Sequence, residues 1–552
     1  MKILLIQPPV RDFYHTPIRT QPIGLAYLAA SLRASGYEVE ILDCQTGAKK
    51  PIPIPSELSY LKEFYPFEDR SPFKLYQGFY HFGMGWEEIR KRIEASNPDL
   101  VGISSSFTPY HGEALRVSHI VKSWDPRKIV VMGGAHVCCD PEGVLKNPSV
   151  DFVILGEGEE RFPALVEEIR RGRSKERIEI DGVGYRVDGS TRIHPIQAFL
   201  RDLDALPLPE RSLLDIERYR IRGKRSTMLI TSRGCPHGCS YCSAHLVMGR
   251  LFRARSPQNI LQEMILCHTQ YGIEAFDFED DNFTFDLGRA KGLMRRIIEH
   301  FGESRLDLSA MNGLSFASLD GELLSLMRRA GFRTLNLSYV STNPLTKERL
   351  MRPSPSLDFE AILKEVERVG LNVIAYAILG IPGQTLEEMT HTLVYLMGRR
   401  VLIGPSLYYP VPGTPLFERH GKESFLPTGL NRCRSSALPI ETDSFSRLDL
   451  ATLLRLARLI NFLKGQMDRR EMAEGMTWRE LAERWGRRAS GTGRNPTWED
   501  LLSRFFEEKS FYSLVRMDGN RLFLRKEATS QRVMDLFFEE AWERPIFRSR
   551  ND

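Results

Sequence analysis

The chain has 552 residues, 42% of them hydrophobic, and a net charge of only +5 from 76 basic and 71 acidic residues. That length exceeds a single core and predicts two or three globular domains. A near-balanced charge with no basic block or arm argues against a nucleic-acid partner. No stretch approaches the roughly 18 apolar residues of a spanning helix, and the opening run Met1–Pro9 is too short for a signal sequence, so the chain reads as cytoplasmic with no transmembrane segment. Of eight cysteines, three cluster and the others stand at 44, 138, 139, 267 and 433. That distribution indicates reduced thiols around a metal site rather than a disulfide framework.

Residues 1–170 alternate short apolar runs with helical patterns, which predicts an α/β, Rossmann-like doubly wound sheet. Strands are expected at Lys2–Ile6, Glu38–Asp43, Leu100–Ser104, Ile129–Met132 and Phe152–Leu155, with helices at Gly24–Ala34 and Glu113–Lys122. Ligands of such sheets sit beyond the carboxyl ends of the strands. Here those ends carry Pro8-Pro9, Ser104-Ser105-Ser106, Gly133-Gly134 and Gly156-Glu157. Small residues at these positions let a large planar ligand approach the backbone. An insertion at 48–92 is dense in aromatics, among them Tyr60, Tyr65, Phe67, Phe73, Tyr76 and Trp86. It reads either as a local apolar cluster over the sheet edge or as a lid on the substrate side.

Residues 171–220 form a hairpin and linker. From 221 to 440 strands and helices alternate again, as in a partial (β/α) barrel, with strands at Met228–Thr231, Ala275–Phe278, Leu306–Met311, Thr334–Tyr339, Val373–Leu379 and Gly404–Tyr409. Reacting groups of barrels stand at strand carboxyl ends. The segment 441–552 is a mostly helical extension, two or three helices and a hairpin near Phe511–Leu524, whose role is not legible.

The first barrel strand runs into Arg-Gly-Cys-Pro-His-Gly-Cys-Ser-Tyr-Cys, placing Cys235, Cys239 and Cys242 in a Cys-x3-Cys-x2-Cys loop. Three thiolates on one short loop hold three irons of a cubane and leave the fourth open to a small molecule, whereas a structural zinc site wants a fourth protein ligand. His237, inside the loop, is placed to tune such a cluster through a hydrogen bond.

The loop resembles that of radical S-adenosylmethionine (SAM) enzymes, and together with residues 1–170 the chain resembles the B12-binding-domain-containing, cobalamin-dependent type. The resemblance implies a [4Fe-4S] cluster on the three cysteines, with SAM chelating the open iron and Tyr241 lying against adenine. It further implies Asp280, Asp281 and Asn282 near the SAM amino group, Asn312 and Ser341 toward its methionyl and ribose parts, and Arg352 on its carboxylate. Ile378 and Gly380 would bracket the adenine. Alternatively, Asp280 to Asn282 cap a helix. For cobalamin, the implied contacts are Pro9, Ser104, Ser105, Ser106, Gly133, Gly134, Gly156 and Glu157.

Two departures stand out. No Asp-x-His-x-x-Gly occurs, so none of His15, His81, His111, His119 and His136 is placed to ligate cobalt from below. Where many relatives carry Glu at the end of strand four, this chain has Val340, which implies a less polar cavity. The reading that results is an enzyme that cleaves SAM reductively to a 5'-deoxyadenosyl radical and uses cobalamin to methylate an unactivated carbon. The alternatives are a radical cyclisation, rearrangement or oxidation without methyl transfer and, from a different class, a non-catalytic metal or B12 sensor. Expected partners are a small-molecule substrate, apolar by the aromatic insertion and Val340, and an electron donor such as flavodoxin or ferredoxin.

Overall fold

The computed structural model describes residues 1–14, 21–65, 68–353, 358–420, 429–486, 495–516 and 521–548. His15 and Phe67 lie outside the described residues. Five parallel strands, Lys2–Gln7, Glu38–Asp43, Leu100–Ser104, Ile129–Gly133 and Phe152–Ile154, build the first sheet, and the antiparallel hairpin Val183–Val187/Ser190–Ile193 extends its edge. In chain order the parallel strands are arranged 2-1-3-4-5, so the winding reverses between strands one and three. A crevice opens at that switch point beyond the carboxyl ends. The strands are apolar runs because helices cover both faces.

The second domain has six parallel strands in two groups of three: Lys224–Leu229, Ala275–Phe278 and Asp307–Ser309, then Thr334–Val340, Asn372–Leu379 and Leu402–Leu407. Isolated parallel bridges, Leu308 to Phe332 and Leu314 to Leu337, join the groups into a partial barrel. Its helices start where short polar side chains can cap the first free N–H groups. Ser256, Asp286, Asp320, Asp358 and Thr385 do so for the helices that follow each of them.

An open barrel has two edges to protect. On the first strand, Gln21 of the N-terminal domain accepts from Met228 N at 3.0 Å and from Thr227 Oγ1 at 2.6 Å. On the last, Asn461 accepts from Ile403 N at 2.9 Å and donates to its carbonyl at 2.8 Å. Asn461 belongs to the 22-residue helix Arg447–Asp468, whose start carries a Ser446/Asp449 capping box. The extension holds four helices among the described residues, Arg447–Asp468, Trp478–Trp485, Trp498–Glu508 and Gln531–Ala541, with the hairpin Tyr512–Arg516/Leu522–Lys526. That is more than expected, because polar caps divide what reads as fewer helical runs.

The aromatic insertion is neither a local cluster nor a lid. Leu58, Leu61, Tyr65, Phe73, Leu75 and Phe79 are buried in one core with the barrel and the extension. Tyr60 donates to Ala437 O at 2.6 Å and Tyr65 to Ser436 O at 2.7 Å. These rings form a strap that binds the N-terminal domain to the extension, and among the described residues none of the insertion lines the cavity described below. Among the described residues no helix is long and apolar enough to cross a membrane.

Candidate active site

A cavity of about 560 Å³ lies where the carboxyl ends of the two sheets meet. One wall is the switch point, with Pro8 and Pro9 after strand one, Ser104, Ser105 and Ser106 after strand three, and Gly133, Gly134 and Gly156 beyond. The other is barrel: Met228, Ile230, Asp277, Glu279, Met311 and Asn312. Gly134 has φ +113°, and a Cβ there would stand 2.8 Å from the Ser105 carbonyl, so no other residue fits without moving the wall. No histidine lines the cavity among the described residues. His111 and His136 lie behind it, buried, their rings 4.3 Å apart, with His111 Nδ1 3.0 Å from Ser105 Oγ. Burial lowers both imidazoles, to about 3 and about 4, so both are neutral. A corrin in this cavity would therefore meet hydroxyls, glycines and proline and, among the described residues, no imidazole.

Beyond the first barrel strand the chain makes a tight loop. Asp280, 2% exposed, ties it down by accepting from Thr231 N at 2.6 Å, from the Thr231 hydroxyl and from Ser232 Oγ at 2.7 Å. Three of its acceptor positions are thereby taken up in holding the loop. Asp281 accepts from Gly234 N at 3.0 Å, and Asn282 Nδ2 lies 3.8 Å from Cys235 Sγ. None of the three caps a helix; Asp286 does. Cys239 is buried, and Cys235 and Cys242 are half-buried. Burial pushes the Cys242 thiol up to about 11 and raises Cys235. Arg352 stands over this loop, its Nη1 3.9 Å from Cys239 Sγ and 3.4 Å from the Tyr241 hydroxyl. Among the described residues no three His, Cys, Asp or Glu side chains converge on one point as single-ion ligands. Thiolates bound to separate irons need no such convergence.

Further round the barrel, two expectations change. Ser341 is fully buried, its hydroxyl donating to Glu388 Oε1 at 2.8 Å, so its side chain does not reach the cavity. Val340 is 1% exposed in the core, at φ +72° where the register shifts, and says nothing about cavity polarity. The carboxylate near this strand end is Glu388, which also holds Asn343 at 3.1 Å and Thr346 at 2.8 Å. Gly380, at φ +78°, is packed under Leu450. The Ile378 carbonyl accepts from Gln384 Nε2 at 3.2 Å, which fixes the turn after this strand.

Glu157 is not free for a ligand either. Its side chain, 0% exposed, accepts from Arg233 at 2.9 Å, from Arg253 at 2.8 Å and from Leu200 N at 2.8 Å, while Glu159 holds Arg233 at 2.6 Å. The Gly-Glu-Gly-Glu turn thus joins the first sheet, the linker and the cysteine loop.

Sequence reasoning missed Asp277 and Glu279. Burial first, then the adjacent Asp277 carboxyl, raises Glu279 to about 8, with Asn312 bonded to the same group. The signal was present: an Asp in the strand Ala-Phe-Asp-Phe stands out among aromatics, and the period of two sends alternate residues to opposite faces.

Comparison with known proteins agrees with this geometry. The family description "B12 binding domain" matches residues 78–166, and "Radical SAM superfamily" matches 229–396. An uncharacterized methyltransferase of Pyrococcus horikoshii is 28% identical over 472 residues, 84% of this chain and 93% of that protein. Cytidylyl-2-hydroxyethylphosphonate methyltransferase of Streptomyces wedmorensis is 29% identical over 435 residues, 71% and 76% of the two chains. Among solved structures, the radical SAM methyltransferase TsrM of Kitasatospora setae superposes with a TM-score of 0.59 at 20% identity, covering 80% of this chain and 82% of that one.

Proposed function

We propose that this chain, which belongs to the B12-binding-domain-containing radical SAM enzymes, methylates an unactivated carbon of a small molecule held in the cavity between its two domains. The observation that carries the reading is the shared cavity, in which the cysteine-bearing barrel and the small-residue end of the first sheet face one another. A [4Fe-4S] cluster with SAM supplies one-electron cleavage to a hydrogen-abstracting radical, and cobalamin supplies the methyl group. Cys235, Cys239 and Cys242 would hold three irons. Arg352 would offset thiolate charge beside Cys239, and Asp281 and Asn282 would keep the loop in register. Tyr241, Asn312, Ile378 and Gly380 are the remaining candidates to hold SAM. Pro9, Ser104, Ser105, Ser106, Gly133, Gly134 and Gly156 would form the bed of the corrin. The buried Glu157 and Glu159 pairs close the joint and keep bulk water from the reacting carbon. One cavity for both partners removes the need for the substrate to diffuse between steps. The electron would come from a flavodoxin or ferredoxin.

The test is anaerobic reconstitution with iron, sulfide and hydroxocobalamin followed by gel filtration. Iron and corrin absorbance should both travel with the protein, and a triple Cys235→Ala/Cys239→Ala/Cys242→Ala variant should keep the corrin and lose the iron. Loss of both from the folded wild-type chain would refute the reading.

A further inference from the structure

Most of the cavity wall is apolar or small, yet its barrel side holds two carboxyl groups within hydrogen-bonding reach of one another. Asp277, 2% exposed, accepts from Ser309 Oγ at 2.7 Å and from Met311 N at 3.2 Å, both at Oδ1. Its Oδ2 is buried and receives no donor from the described residues unless Glu279 carries a proton. Burial and then the neighbouring Asp277 carboxyl raise Glu279 to about 8, so at neutral pH Glu279 holds a proton that it can donate toward Asp277. The surrounding charges are Asp280 on the same loop and Arg233 in the cysteine loop, with the Tyr376 phenol, raised by burial and then by Asp277, on the strand Asn372–Leu379 across the barrel. Arg233 is committed to Glu157 and Glu159, and Asp280 to Thr231 and Ser232. Among the described residues no cation is paired with either carboxyl. Asn312, exposed to the cavity, bonds Glu279 and brings a third polar group to the same spot.

Asp277 is tied to the neighbouring strand end through Oδ1, and Glu279 and Asn312 are the polar side chains that this part of the cavity wall presents beside it. We propose that Asp277, Glu279 and Asn312 are the specificity determinant of this cavity, gripping a substrate that presents a hydroxyl or amine hydrogen-bond donor and rejecting one that presents hydrocarbon or only acceptors. The inference rests on the reading of this cavity as the substrate's. It replaces the apolar substrate expected from the aromatic insertion and Val340, since both of those are core. Sites that bond a substrate donor reject the analogue lacking it far more strongly than apolar pockets reject a methylene.

The test is ligand-observed NMR on the full chain loaded with cluster, SAM and cobalamin, using three matched probes: cyclohexanol, cyclohexylamine and methoxycyclohexane, the last with no donor. Cyclohexanol or cyclohexylamine should bind at least about tenfold tighter than the ether, and the preference should collapse in Asp277→Asn/Glu279→Gln. The alcohol against the amine distinguishes a neutral from a charged donor. Equal binding of the three, or no binding of either donor probe, overturns the proposal. Should the variant not fold, the wild-type infrared spectrum decides: a carboxylic C=O stretch at neutral pH is expected, and its absence overturns the proton on Glu279. SAM cleavage by the same preparation is scored separately, so failure of the functional reading and failure of the subsite are distinct results.

Discussion

Replacing Glu157 by Gln keeps the shape of the side chain and removes one charge from the joint between the domains. Four contacts converge on this carboxylate: one from Arg233, two from Arg253 and one from Leu200 N. Arg233 keeps Glu159. Arg253, 3% exposed at its side chain, keeps only carbonyls, Leu200 O at 2.5 Å and Met248 O at 2.6 Å. The variant therefore leaves one buried guanidinium with no carboxylate in contact, Asp281 acting on it only at longer range, a defect that costs about 3–5 kcal/mol. Because the chain has several domains, a single unfolding free energy is ill-defined. Limited proteolysis within the linker, residues 188–204, reads the opening of this joint directly. Cleavage that follows the opening equilibrium should accelerate by roughly two to four orders of magnitude. The double variant Glu157→Leu/Arg253→Met, which removes both charges, should recover much of the protection. A cleavage rate within about fivefold of wild type for Glu157→Gln would refute the claim that this cluster holds the domains together.

Asp280→Ala, which leaves the Thr231 and Ser232 donors buried without an acceptor, should cost about 3 kcal/mol or more and lower iron retention after reconstitution, read by thermal melting and iron assay. Glu279, raised in the folded chain to about 8 from an ordinary carboxyl value, binds more protons folded than unfolded, so stability falls as pH rises from about 4.5 to about 8. Glu279→Gln should therefore raise the melting temperature of the unloaded chain more at pH 8 than at pH 5; a pH-independent difference would contradict the assignment. Tyr65→Ala, which empties a site 1% exposed and removes the bond to Ser436, should lower the temperature of the first thermal transition by several degrees. An unchanged melt would reinstate the insertion as a detachable lid.

The parallel order of both domains was legible because buried parallel strands read as apolar runs, Lys2–Gln7 and Phe152–Ile154 being the plainest. The cysteine loop was legible from spacing alone. Side-chain commitments were not. Glu157, Asp280 and Ser341 sit at strand ends where a ligand contact is a natural expectation, yet each is occupied by a residue far away in sequence: Arg253 for the first, Thr231 for the second, Glu388 for the third. No local pattern encodes such pairings. The aromatic insertion misled for the same reason, since its partner, the segment around Ser436 and the helix Arg447–Asp468, lies hundreds of residues downstream. Asp277 was readable from strand alternation, but its meaning depended on Glu279 and Asn312 meeting it across two strand ends.

The central claim, that the two domains carry out methyl transfer in one cavity, is tested most directly by supplying the reconstituted enzyme anaerobically with SAM labelled in its methyl group, reduced flavodoxin and an extract of host metabolites. The account predicts 5'-deoxyadenosine together with a small molecule heavier by one labelled methyl, both absent when the three cysteines are replaced by Ala. Deoxyadenosine accompanied only by unlabelled, rearranged or oxidised product would contradict methyl transfer, and deoxyadenosine no greater than in the cysteine variant would contradict the account as a whole.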